Sequence, residues 1–146
     1  MQHQLTVEIE RPPAVVFAAL NDQEHLRDWV GGLLETHLLE GPANGPGTRF
    51  RQVLEELGHR LDVQGEVLEY DPDRKLTVKL VAPQFETTAA YQLEAISSTS
   101  TRLDVESTTK LIGWGMRLLT PMIQAGVQKK LKGDFERLKT WLEKAD

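Results

Sequence analysis

The sequence predicts an α+β fold in which a seven-stranded, curved antiparallel sheet wraps around one long C-terminal helix, with two short helices between the first and second strands. Three observations carry that expectation. Beyond Lys110 no β pattern remains, and Leu119, Met122, Ile123, Val127, Leu131, Phe135, Leu138 and Leu142 recur mostly three or four residues apart, a helical period. Between residues 35 and 109 the chain reads as consecutive strands broken by turn residues. A sheet followed by one amphipathic helix has few ways to bury both apolar faces, and wrapping one around the other is the favoured one.

In chain order, Leu5, Val7 and Ile9 alternate with Thr6, Glu8 and Glu10, a half-buried strand ended by Arg11-Pro12-Pro13. Proline is tolerated in a first helical turn, where its missing N–H has no partner to lose, so residues 14–20 read as a short helix burying Val16, Phe17 and Leu20. Asn21 or Asp22 is positioned to cap a second short helix running to about Trp29, and Gly31-Gly32 stops it. Strands follow at about 34–40, 48–57, 60–70, 75–81, 85–96 and 101–109. Turn chemistry separates them: the Gly/Pro-rich stretch 41–47, Gly58-His59, Asp71-Pro72-Asp73 and 97–100. Thr120-Pro121 interrupts the terminal helix. Either the main helix starts at Pro121 with Thr120 as its cap, or a preceding helical turn at 115–119 joins it through a kink. The 24 residues from Pro121 to Lys144 span roughly 36 Å at 1.5 Å per residue, matching strands of this length.

A chain of 146 residues is expected to form one domain, 1–146. No apolar run approaches the ~18 residues of a membrane span, and the first residues lack a signal-peptide pattern, so a cytoplasmic protein is expected. Without cysteine there is no disulfide, thiolate nucleophile or cysteine metal site. Net charge is −5, yet residues 110–144 hold eight Lys/Arg against three Asp/Glu. An acidic chain is a poor general nucleic-acid binder. The basic helix residues Lys129, Lys130, Lys132, Arg137 and Lys139 read as a solvated face, with weak contact to an anionic membrane surface or an acidic partner as the sharper alternative; Trp114 or Trp141 would join such a contact. The residues do not indicate an oligomeric state.

Catalytic signatures are sparse. There is no nucleophile elbow, phosphate loop or metal-spaced cluster, so no metal or cofactor is expected. His3, His25, His37 and His59 are scattered, and His25 with Asp28 lacks a third ligand. Strand parity is more informative. Phe85, Thr87, Ala89, Tyr91 and Leu93 share one face, and Leu103, Val105 and Ser107, with Leu76, Val78 and Leu80, supply matching inward sets. Gly126 costs about 1 kcal/mol against alanine inside a helix. It signals either close approach of helix to sheet or a hollow for an apolar ligand, with Tyr91, Thr87 and Ser107 as polar groups. The strand at 48–57 is ambiguous: Phe50, Gln52 and Leu54 face inward, or Arg49, Arg51, Val53 and Glu55 do. In the second case an Arg51–Glu55 pair would favour chemistry over storage. The strand at 60–70 has a similar conflict, which a bulge near Gly65 would reconcile. The candidate walls are Trp29, Phe50, Leu54, Val78, Phe85, Thr87, Ala89, Tyr91, Val105, Ser107, Leu119, Met122, Ile123 and Gly126.

The segments Ile9-Glu10-Arg11-Pro12-Pro13-Ala14-Val15-Val16-Phe17, Trp29, Pro46-Gly47-Thr48-Arg49-Phe50, Gly65-Glu66-Val67-Leu68-Glu69-Tyr70-Asp71-Pro72, Thr101-Arg102-Leu103 and Asp134-Phe135-Glu136-Arg137-Leu138-Lys139 carry a resemblance over essentially the whole chain. In their order they resemble the START-like (SRPBCC, helix-grip) superfamily, in its polyketide cyclase/dehydrase and lipid-transport branch. The resemblance implies the helix-grip fold and an internal site for a small hydrophobic molecule, a lipid or a polyketide-like aromatic. The alternative it implies is a cyclase or dehydratase acting on such a molecule. Because these motifs mark turns and packing positions, function has to be argued from the pocket.

Overall fold

The computed structural model describes residues 1–41, 45–56 and 58–144, so Pro42, Ala43 and Asn44 of the expected loop and Leu57 at the expected strand end lie outside them. The elements are β1 (Gln2–Ile9), α1 (Pro13–Asn21), α2 (Leu26–Trp29), β2 (Leu33–Glu40), β3 (Arg49–Glu56), β4 (His59–Asp71), β5 (Lys75–Ala82), β6 (Phe85–Ser97), β7 (Ser100–Leu111), α3 (Trp114–Leu118) and α4 (Thr120–Lys144). All seven strands form one antiparallel sheet in the order β1-β7-β6-β5-β4-β3-β2. This is the predicted helix-grip architecture.

The helix starts and turns follow local chemistry. Pro12 stands before α1 in an extended conformation and Pro13 opens the helix. Neither Asn21 nor Asp22 caps α2. The Asn21 amide donates back to the Phe17 carbonyl at 3.0 Å, and the Asp22 carboxylate accepts the Glu24 N–H at 3.2 Å, forming a turn before the helix. The β4–β5 turn closes with Arg74 N–H to Asp71 O at 3.0 Å and holds Asp73 at φ 66°, which aspartate tolerates better than most residues. At the start of the terminal helix the second alternative holds: a preceding helical turn leads into the main helix, whose first residue is Thr120, so Thr120 is not the cap of a helix that starts at Pro121. A short α3 precedes α4, and the Thr120 hydroxyl donates back to Arg117 O at 2.7 Å.

Pairing register decides the strand parities. Phe50 pairs Gly65, Gln52 pairs Val63 and Leu54 pairs Leu61, while Gly65 in turn pairs Leu80. Phe50 belongs to the buried core and Leu54 packs on it, whereas Arg51 binds Asp62 at 2.7 Å on the opposite, exposed face. The β4 irregularity falls between Val67 and Glu69, not near Gly65. Gly65 serves a different purpose: a Cβ there would overlap the Phe50 ring, so the absence of a side chain lets that ring lie on the sheet.

The core gathers the inward side chains of the sheet with Val16, Phe17 and Leu20 of α1, Leu26 and Trp29 of α2, and Phe135, Leu138 and Leu142 of α4. The C-terminal half of α4 is pinned on two sides. Asp134 accepts the Gly31 N–H at 2.9 Å and Arg137 donates to the Trp29 carbonyl at 3.1 Å. Toward β1, Glu143 accepts the Glu10 N–H at 2.9 Å, and Lys139 donates to the Glu8 carbonyl at 2.5 Å and to Glu143 at 2.9 Å. No described helix is long and apolar enough to cross a membrane.

Candidate functional site

The inner face of the sheet is generated by the register itself. Phe85 lies opposite Leu111, Thr87 opposite Thr109, Ala89 opposite Ser107 and Tyr91 opposite Val105. On the other side of β6, Val78 pairs Ala89 and Leu80 pairs Thr87. The α4 backbone runs close to β1 and α2 and stands off the middle strands. Side chains bridge that gap at the helix's C-terminal end, where the Phe135 ring meets Trp29 (centroids 5.3 Å) and Tyr91 (5.9 Å). Toward the N-terminal half no comparable ring contact joins helix and sheet among the described residues. Leu54, Leu80, Phe85, Thr87, Tyr91, Ile123 and Val127 are only half-buried although most are apolar and the strand residues among them lie on the inner face.

The structure therefore sorts the predicted wall residues into three groups. Trp29, Phe50, Val78, Ala89, Val105 and Ser107 are buried beneath or beside the site. Leu54, Phe85, Thr87, Tyr91 and Ile123 are half-buried and offer surface. Leu119, Met122 and Gly126 are exposed, Leu119 at 46 % and Met122 at 66 %, and nothing lies within 4 Å of where a Gly126 Cβ would stand. At about 100° per residue, Met122 sits roughly 160° around the helix axis from Leu138, on the side away from the core. Gly126 does not mark a close approach to the sheet.

Polar groups gather where β1, β6 and β7 meet. The Thr87 and Thr109 hydroxyls share a hydrogen bond of 2.9 Å. Ser107 is buried and pairs with Ala89 on one side and His3 on the other. His3 was not among the predicted residues, although the alternation Leu5, Val7, Ile9 extended back by one step reaches it. Its Nδ1 lies 2.9 Å from the Gln128 Oε1 of α4, within hydrogen-bond distance. The buried Nε2 has no partner among the described residues. The Trp29 indole N–H is likewise buried and has no acceptor among the described residues. Burial, reinforced by the negative charge of Asp134, pushes the Tyr91 phenol up to about 12, so near neutral pH it is a hydrogen-bond donor and not a base.

Groups expected to carry chemistry lie elsewhere. Arg51 and Glu55 are on the outward face of β3. Asp22, Glu24 and His25 approach within 4.8 Å of one another, but the imidazole is bound to Asp22 at 2.6 Å and stacked on Trp141, and Glu24 and His25 are exposed. Two surface depressions, one lined by Pro12, Pro13, Arg74 and Leu93 and one by Phe17, Asn21 and Tyr70, lie around α1 and the β4–β5 turn, away from the space under α4.

Comparison with known proteins agrees with this architecture. The family described as "Polyketide cyclase / dehydrase and lipid transport" matches residues 2–143. Among solved structures the chain is similar to a Thermus thermophilus protein (18 % identity, TM-score 0.82, 97 % of each chain). It is similar to the ZhuI aromatase/cyclase of a Streptomyces species (15 %, TM-score 0.85, 98 % of this chain and 93 % of that one). It is also similar to a START superfamily protein from Mycobacterium smegmatis (18 %, TM-score 0.72, 97 % and 94 %). These likenesses speak for the fold. No curated protein matches the sequence.

Proposed function

Because the chain belongs to the polyketide cyclase/dehydrase and lipid-transport family, we propose that it binds a small hydrophobic molecule, a lipid or a polyketide-like aromatic, between the sheet and the N-terminal half of α4. One observation carries this reading: inner-face side chains that are chemically core residues stay half-exposed under a helix that does not reach them. Apolar surface left wet forgoes about 25 cal/mol per Å² of stabilisation, which an apolar guest recovers on entering. Tyr91 and Thr87 supply the few polar groups that orient such a guest, while Ser107 is buried.

The cyclase alternative needs a charged or titrating pair inside the site. Arg51 and Glu55 would have provided it and face outward. Tyr91 alone, held neutral by burial, is a donor that orients a guest.

The test is organic extraction of protein purified under native conditions, with mass spectrometry of the extract, alongside fluorescence titration with the apolar dye ANS. A stoichiometric apolar molecule and saturable dye binding that Val127→Trp weakens at least tenfold support the reading. An empty extract with dye binding indifferent to Val127→Trp defeats it. Circular dichroism shows whether the variant has kept its fold.

A further inference from the structure

Five large apolar side chains within eleven residues stand exposed around α3 and the start of α4: Ile112, Trp114 (75 %), Leu118 (70 %), Leu119 and Met122. Scattered singles need no explanation, but a cluster of this kind on a folded surface marks a contact. Its electrostatic setting is unlike the rest of the molecule. Between Glu106 and Asp134 the chain has no carboxylate and five Lys/Arg, in a protein whose net charge is −5. Arg117, Lys129 and Lys132 are exposed and form no ion pair among the described residues, while Lys130 is tied to Asp134. On α4, Met122, Ala125, Gly126 and Lys129 are all exposed at the i, i+3, i+4, i+7 spacing of one helix face, so apolar and cationic groups share the outward side.

We propose that this α3–α4 surface docks on an anionic lipid bilayer. Tryptophan, leucine and methionine are the side chains that enter the headgroup–acyl boundary, and flanking Lys/Arg meet the negative surface potential of acidic lipids. A second copy of the chain fits less well: a two-fold contact repeats the patch on itself and gathers the cations of both copies in one interface with no carboxylate between Glu106 and Asp134 to offset them. The docking surface does not depend on the cargo reading, because it is outside the half-buried inner face and its test uses no cargo.

Co-sedimentation with phosphatidylcholine vesicles containing 30 % phosphatidylglycerol, against pure phosphatidylcholine, tests it at low and high salt. Binding to the anionic vesicles alone, weakened by salt, is the expected result. K129E/K132E should lower the partition coefficient about tenfold or more, and W114A and M122S several-fold, with the circular dichroism of each variant unchanged. Trp114 fluorescence, isolated as the difference between wild type and W114F, should shift to the blue when vesicles are added. Failure to sediment with anionic vesicles at low salt, or binding indifferent to all these substitutions, overturns the proposal. A dimer by light scattering whose Trp114 emission is already blue without lipid overturns it as well.

Discussion

The two halves of α4 share one continuous helix and differ in almost everything else. From Asp134 onward the inward residues are buried and the flanking polar groups bind backbone atoms of α2 and β1. Before Leu131, Ile123 and Val127 are half-covered and the outward face carries Met122, and among the described residues the side-chain hydrogen bond to the sheet is His3 to Gln128. The comparison teaches that a grip on one end of a helix is enough to fix it. The other end is then free to leave apolar sheet surface uncovered.

The sharpest way to break that contrast is to truncate on both sides of it. Leu138→Ala, at a fully buried position, should cost about 2–5 kcal/mol in denaturant unfolding. Val127→Ala should cost under ~1 kcal/mol while lowering dye affinity; equal costs would erase the distinction. Asp134→Ala attacks the pin itself, orphaning the Gly31 amide and releasing Lys130 and Arg137. Since both cations are partly solvated, about 2 kcal/mol is expected by the same measurement. In the open half, Gly126→Ala meets nothing and should gain up to about 1 kcal/mol of helix stability with ANS titration unchanged.

Smaller effects separate binding from folding. Tyr91→Phe removes a hydroxyl with no partner among the described residues, so the unfolding midpoint should hardly move. Affinity for a carbonyl-bearing aromatic should fall about fivefold relative to naphthalene, the worth of one hydrogen bond near 1 kcal/mol. The smallest effect concerns acid. Lys139 and the Glu10 N–H hold the Glu143 carboxyl below the usual glutamate range. A folded value below the unfolded one stabilises above that range, and the contribution is lost as pH falls through it. Wild type should therefore exceed Glu143→Gln in stability near neutrality, and the gap should close between about pH 5 and pH 3 in pH-dependent melts.

Most of the architecture was legible because strand alternation and turn residues are local signals. Six of the seven strands were placed within about two residues of their observed ends, the first strand starts three residues before the expected Leu5, and both short helices between the first two strands were expected. The site was less legible, for reasons visible in single residues. Met122 and Ile123 are neighbours about 100° apart on the helix, and spacing alone does not show which of them points inward. On β3 apolar residues occur on both parities, and pairing of Phe50 with Gly65 makes the choice, a contact across strands. Gly65 invited a bulge by its type, whereas its reason is the ring above it. His3 joins the interior only because β1 lies beside β7, more than ninety residues away in sequence.

That last neighbour relation has a consequence for how the molecule comes to exist. Strands two to seven are a meander in which each new strand finds the previous one waiting, whereas the first strand emerges earliest and has no edge to join until residues 100–111 have been synthesised. Closing so long a loop is entropically slow. Of the seven strands, then, the first to be synthesised is the last to be zipped into the sheet, and the bonds that the terminal rod makes to it form only after that late closure.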